Sequence, residues 1–72
     1  MRMLSDNQQH RVLRAYHRAV AFHFNRFGEQ WPIVRSNCVM PDGTIIDTDA
    51  HDPNVVANWR IGPGGHPVIE LV

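Results

Sequence analysis

The chain contains no lysine, so each of its seven basic side chains is an arginine. Six of the seven arginines precede residue 37, where only two acidic residues oppose them. Residues 1–36 therefore carry a formal charge of +4 and residues 37–72 carry −4, which the net charge of zero conceals. Arginine is the basic side chain best suited to bidentate pairing with carboxylates and phosphates. The sequence thus predicts a cationic contact surface in its first half.

Cysteine is almost absent too, because Cys38 is the single one in the chain. One cysteine excludes an intrachain disulfide and a metal site of the paired-cysteine type, and a free thiol is typical of a reducing compartment. No apolar run approaches the roughly 20 residues that cross a bilayer. Residues 1–4 are shorter than the apolar stretch of about 7–15 residues in a signal peptide. We therefore expect a cytoplasmic protein with no membrane contact and no cofactor.

Length leaves little stability to spare. A chain of 72 residues has room for one domain, and such a domain hides only about 60% of its unfolded surface. The hydrophobic content of 43% and the charged content of 19% are ordinary for a globular domain and unlike a disordered one. An elaborate buried polar site would strain so small a core. The size therefore favours a binding module over an enzyme, with a homodimer as the usual remedy for thin stability.

An amphipathic helix over about residues 5–27 is the clearest predicted element. Ser5 with Gln8 three residues later forms a capping box, and Gly28 suits the left-handed position past a helix end. At about 100° per residue, one stripe of this helix is apolar and comprises Val12, Leu13, Tyr16, Ala19, Val20, Phe24 and Phe27. The opposite stripe is polar and comprises Asn7, His10, Arg11, Arg14, His17, Arg18 and Asn25.

Two β-hairpins are predicted after the helix, over about residues 33–48 and 54–72. The first turns at Pro41-Asp42-Gly43, where proline and aspartate suit a type I turn and glycine supplies a positive φ. The second alternates apolar and polar residues over 55–61 and turns at 63–65. An alternative for 53–59 is a short helix that Asp52 caps. The β-branched pair at 55–56 favours the strand.

These elements predict one α+β domain over residues 1–72. An N-terminal amphipathic helix packs on a small antiparallel sheet of about four strands, in two layers. The apolar stripe of the helix faces the sheet, so its polar stripe is left for contact with solvent or a partner.

The polar side of the helix carries the candidate partner-binding site. Its members are Arg11, Arg14, Arg18, Phe22, His10 and His17. The three arginines stand at i, i+3 and i+7 and share one side of the helix, and Phe22 lies about 20° from Arg11 around the axis. An aromatic ring among arginines resembles the anchors of protein interfaces and the stacking sites of single-stranded nucleic acid. The simpler interpretation is a solvated polar surface, with Phe22 covered by a loop or by the N-terminal residues.

An acidic run at residues 47–52 is the second candidate. If the strand extends that far, Asp47, Asp49 and His51 alternate onto one side and could hold a divalent cation or serve a hydrolytic site. The run lacks the central glycine and final glutamate of an EF-hand calcium loop. We therefore favour a solvated loop between the hairpins and expect no metal there.

Two further residues have structural interpretations. His23 falls on the apolar stripe, where we expect a histidine at the core edge that bonds to a loop carbonyl or pairs with Asp49 or Asp52. Cys38 is expected as a small buried residue within a strand, since no local motif supplies the base that a nucleophilic thiol needs.

The predicted function is a non-enzymatic protein-binding module, such as a small adaptor or inhibitor of the kind that phages and other mobile elements encode. It would dock through the arginine-rich side of the helix on a larger protein complex, for example one that handles nucleic acid. The alternative is direct nucleic-acid binding by the same helix, expected to be weak or absent because the −4 half repels a polyanion. A third hypothesis is a metal-dependent hydrolase at Asp47, Asp49 and His51.

Overall fold

The computed structural model describes residues 4–72, so residues 1–3, among them Arg2, lie outside the described part. Its regular elements are helix α1 (Asp6–Phe27), strands β1 (Thr44–Asp47), β2 (Asn54–Ile61) and β3 (Pro67–Leu71), and 3₁₀ turns at Ser36–Cys38 and Pro63–Gly65. The strands form one antiparallel sheet in the order β1-β2-β3, and α1 packs chiefly on β3. This architecture confirms the predicted α+β class.

The ends of α1 follow from local sequence. The Ser5 Oγ accepts a hydrogen bond from the Gln8 amide at 3.1 Å. At the other end Gly28 adopts φ 72°, and its amide donates to the Phe24 carbonyl at 3.0 Å. Both predicted caps are confirmed, and the helix bounds differ from the predicted ones by a single residue.

The first predicted hairpin is wrong in its first strand. Residues 33–40 contain a 3₁₀ turn, and only Val39 forms an isolated bridge with Ile45, so the sheet has three strands and not about four. Cys38 and Val39 are both buried, although adjacent residues of a strand point to opposite sides. A tight turn can direct both side chains toward the core, so burying the two together favours the turn over the strand that the β propensity of the segment predicts.

The second hairpin is confirmed, and within residues 53–59 the structure has no helix: 54–59 belong to strand β2. A bulge interrupts its alternation, because Ile45 pairs with Ala57 and Ile46 pairs with Val55. Val56 is the extra residue, and both Val56 and Ala57 are buried. A bulge turns two successive side chains toward one side of a sheet, which places an additional apolar residue in the core.

The core lies between α1, the sheet and the segment that links them. Its buried residues are Val12, Tyr16, Val20, Val34, Cys38, Val39, Ile45, Val56 and Ala57. Part of the predicted apolar stripe is wrong, since Phe24 and Phe27 are 50% and 57% exposed. The 22 residues of α1 span about 33 Å and the five of β3 about 17 Å, so the last turns of the helix extend past the strand that supports it.

The turn before β1 gives a prediction about stability. The Gly43 amide donates to the Met40 carbonyl at 3.2 Å, Gly43 has φ 95°, and an added Cβ would lie 3.3 Å from the Trp59 carbonyl oxygen. We expect Gly43→Ala to lower the free energy of unfolding by about 2 kcal/mol in urea denaturation, from left-handed strain together with that contact. Gly65→Ala is the control, because Gly65 also has a positive φ and its Cβ would meet nothing within 4 Å. Equal losses in both variants would show that the contact with Trp59 does not matter.

Candidate partner-binding site

A cationic groove lies between α1 and the turn that joins β2 to β3. Its volume is about 230 Å³, and it is lined by Arg11, Arg14, Ala15, Arg18, His66 and Pro67. We call this concavity the arginine groove. The helical spacing puts the three guanidinium groups on one side of α1, and the hairpin turn supplies the opposite wall. Ala15 between them is small enough to leave the space open.

One wall of the arginine groove is held in place by a hydrogen bond across the fold. The Arg11 guanidinium donates to the Gly65 carbonyl at 3.0 Å, although the two residues are far apart in the chain. Gly64 and Gly65 both have positive φ, and this conformation of the turn presents the carbonyl to the helix. A guanidinium positioned before a ligand arrives loses less conformational entropy on binding.

The charge of the arginine groove is not neutralised within the described residues. No carboxylate lines it; among residues 4–72 the arginine–carboxylate ion pair is Arg35–Asp49 at 3.8 Å, and Glu29 lies 3.5 Å from the His23 ring nitrogen Nδ1. The groove therefore presents three guanidinium groups without a carboxylate partner from the described chain. Each offers a planar fork of donors that matches a carboxylate or a phosphate.

Phe22 stands beside the groove and does not line it. The side chain is 57% exposed, and its ring lies nearly perpendicular to that of His23, at a centroid distance of 5.8 Å. Phe22 follows Ala15 by seven residues, which is two helical turns with an offset of about 20°. The exposed ring therefore continues the groove side of α1 toward the C-terminal end of the helix.

The two predicted histidines lie elsewhere. The His10 Nδ1 donates to the Asp6 carbonyl at 2.8 Å, and His17 is half-buried with its ring 5.5 Å from that of Tyr16. Helical spacing places both on the side of α1 away from Phe22. The structure brings His66 to the groove instead. The position of His66 could not be predicted from the sequence, because nothing local to the Gly-Gly-His turn shows that the hairpin ends beside the helix.

The acidic run does not form the alternating set that a longer strand would give. Strand β1 ends at Asp47, whose Oδ1 accepts a hydrogen bond from the Asp49 amide at 3.1 Å and so bends the chain. Arg35 lies 3.8 Å from Asp49, and His51 is exposed. Within the described part of the chain, no group of three or more histidine, cysteine, aspartate or glutamate side chains is placed to hold a metal ion.

His23 and Cys38 lie in surroundings that differ from the predicted ones. The His23 Nδ1 lies 3.5 Å from the Glu29 Oε1, and its ring packs against Trp31 at 5.4 Å, so the predicted pairing with a loop carbonyl, Asp49 or Asp52 is wrong. The His23 Nδ1 is buried and makes no hydrogen bond, so the described contact of His23 with the segment after α1 is the packing of its ring on Trp31. Cys38 is buried as predicted but in a 3₁₀ turn, where its Sγ lies 3.6 Å from the Thr48 hydroxyl.

Similarity to known proteins does not indicate the ligand of the groove. The chain matches no protein-family model, no curated protein and no solved structure. Among the helices of residues 4–72, none has both the length and the apolar character that crossing a membrane requires. The geometry and charge of the arginine groove are therefore the basis for assigning a function.

Proposed function

We propose that the protein is a non-enzymatic binding module of the cytoplasm, an adaptor or inhibitor that docks on a larger protein through the arginine groove. The observation that carries this proposal is the gathering of three guanidinium groups and His66 in one concavity that no carboxylate of the described chain lines. Arginine–carboxylate pairs are directional, and they strengthen where water is excluded. Acidic side chains of a partner would complete the groove.

Phe22 supplies the apolar part of the same surface. Protein interfaces take most of their binding energy from a few aromatic and arginine side chains near the centre of the contact. A phenylalanine that is 57% exposed next to three arginines has this composition. The ring would contribute buried area, and the guanidinium groups would set the orientation of the partner. A complex that handles nucleic acid remains the proposed class of target, since the arginines suit its acidic sites and the 47–52 loop suits its basic ones.

Charge reversal tests the proposal. We expect the triple variant Arg11→Glu, Arg14→Glu, Arg18→Glu to lose capture of the partner from a lysate of the native host, measured by quantitative mass spectrometry. Its circular dichroism spectrum should be unchanged and its stability should fall by less than about 1 kcal/mol, because exposed substitutions have small effects. The Arg11–Gly65 hydrogen bond is the one described contact of these guanidinium groups that the change removes.

The chain offers a matched control with the same change of charge. Arg26, Arg35 and Arg60 are exposed and lie outside the groove, so their replacement by glutamate should leave capture intact. Loss of capture in both variants would show that net charge alone attracts the partner, and retained capture in the groove variant would refute the proposal. Submicromolar binding of an oligonucleotide at about 0.15 M salt, lost in the groove variant, would establish the nucleic-acid alternative.

A further inference from the structure

The arginine groove opens beside an unpaired edge of the sheet. In the order β1-β2-β3, strand β3 bonds to β2 on one side, and no strand from residues 4–72 lies on the other. Pro67, the first residue of β3, lines the groove together with His66. An edge strand presents backbone donors and acceptors that another extended chain can pair with. The groove and the edge therefore form one continuous surface.

Two hydrogen bonds reveal which backbone groups of β3 point outward. The Gly62 amide donates to the His66 carbonyl at 2.8 Å, and the Val72 amide donates to the Val56 carbonyl at 3.0 Å. Bonded and non-bonded pairs alternate along an antiparallel ladder. Counted from these two bonds, the even-numbered residues of β3 bond to β2. The N–H and C=O groups of Ile69 and Leu71 are directed away from the sheet.

Helix α1 runs alongside this edge in the same direction as β3. The Arg11–Gly65 hydrogen bond joins the first half of the helix to the start of the strand. Beyond the end of the helix, the Trp31 Nε1 donates to the Val72 carbonyl at 3.1 Å, just after β3 ends. Ile69 and Leu71 turn their half-buried side chains toward the core beneath the helix. A strand added to β3 would therefore carry every second side chain on the side of the sheet where α1 and its arginines lie.

We propose that the occupant is an extended acidic segment of a partner protein, which adds to β3 as a fourth strand. This inference rests on the proposed function and names the chemistry of the partner. Main-chain hydrogen bonds to Ile69 and Leu71 supply affinity, and carboxylates at alternate positions of the segment enter the arginine groove. The recognised pattern is an acidic residue at every second position, beside residues that suit an extended strand.

A second copy of the chain does not fit the same edge. Two-fold pairing of β3 with another β3 would bring two arginine grooves side by side, and like charges placed together across an interface are unfavourable. An acidic segment has the charge that is complementary to the groove.

Synthetic peptides provide the probe for this inference. The parent peptide has about eight residues, roughly the length of a strand, with blocked termini, and glutamate alternates with valine along it. Companion peptides replace valine by isoleucine, phenylalanine or threonine. Fluorescence anisotropy should show binding by at least one of them, and replacing every glutamate by glutamine should weaken it by roughly tenfold or more, since charge-assisted hydrogen bonds are lost.

Backbone pairing is tested separately from charge. One peptide is N-methylated at the amides of its glutamates, and another at the amides of the residues that alternate with them. Because backbone groups alternate in direction along a strand, only one of these two sets of amides faces β3. One should lose binding by roughly tenfold and the other should retain it. Hydrogen exchange measured by NMR at saturating peptide should slow at the amides of Ile69 and Leu71, with little change at Val68 and Glu70, which already bond to β2.

Several outcomes would overturn strand addition and leave the docking function standing. They are equal binding of the glutamine peptide, equal binding of the two methylated peptides, unchanged exchange at Ile69 and Leu71, and no binding by any peptide of the set. Protection of those two amides in concentrated protein without peptide would place a second copy at the edge and refute the proposal. The docking function itself is judged by the charge-reversal experiment, so its failure is distinguishable.

Discussion

Replacing Ile45 by alanine should lower the free energy of unfolding by about 3 kcal/mol. Ile45 is 0% exposed and is among the largest fully buried side chains of the described core. Removing a buried isoleucine loses the transfer free energy of its methyl and methylene groups and leaves a cavity, which costs about 2–5 kcal/mol. Small domains have total stabilities of roughly 5–15 kcal/mol, so the loss would leave a large unfolded population at moderate denaturant.

Ile46→Ala is the matched control, because it makes the same substitution at the next position of β1. Ile46 is only partly buried, whereas the adjacent Ile45 points to the opposite side of the strand and packs in the core. We expect Ile46→Ala to lower the free energy of unfolding by about 1 kcal/mol or less, because little of this side chain is buried. Both variants share the same change in β propensity, so the difference between them reports burial in the core. Urea denaturation followed by tryptophan fluorescence measures both. Equal losses would mean that β1 does not cover the core as described.

Alkaline pH should destabilise the protein through Tyr16. Burial raises the pKa of Tyr16 to about 12, and the charges of Asp47 and of Cys38 add to the shift. The hydroxyl also donates to the Pro32 carbonyl at 2.6 Å, which requires the protonated form. An unfolded tyrosine releases its proton near pH 10. Between about pH 10 and pH 12 the unfolded state therefore binds fewer protons, and stability falls as pH rises.

The fall should approach about 1.4 kcal/mol per pH unit within this window and be absent below it. Tyr16 is the single tyrosine of the chain and there is no lysine, so few other side chains titrate in the same range. Urea denaturation midpoints measured between about pH 10 and pH 12 report the stability, and ultraviolet absorbance reports the ionisation of the tyrosine ring. Tyr16→Phe should lose stability at neutral pH but show a flatter profile. The same steep profile in that variant would assign the effect to another group.

The predictable parts of the fold are those whose causes are local. Ser5 and Gly28 determine where α1 begins and ends within a few neighbouring residues, and the turn glycines do the same for the second hairpin. The first predicted strand failed because Cys38 and Val39 are both drawn into a core that the sequence does not show assembled. Phe24 continues the apolar stripe of the helix, but helical periodicity contains no information about where the supporting strand stops.

The candidate site divides in the same way. Helical spacing alone places Arg11, Arg14 and Arg18 on one side of α1, and the groove contains all three. His66 could not be found from spacing, because its position depends on how the hairpin docks against the helix. The exposure of the β3 edge beside the groove could not be predicted either, because it also depends on how the hairpin docks against α1.

The contact between α1 and β3 has a consequence for how the protein is made. These are the first and last regular elements along the chain, and α1 packs chiefly on β3. During synthesis the apolar side of α1 emerges early, yet its main support is translated some forty residues later, after both other strands. The nascent helix therefore lacks its main support until Pro67–Leu71 has been translated.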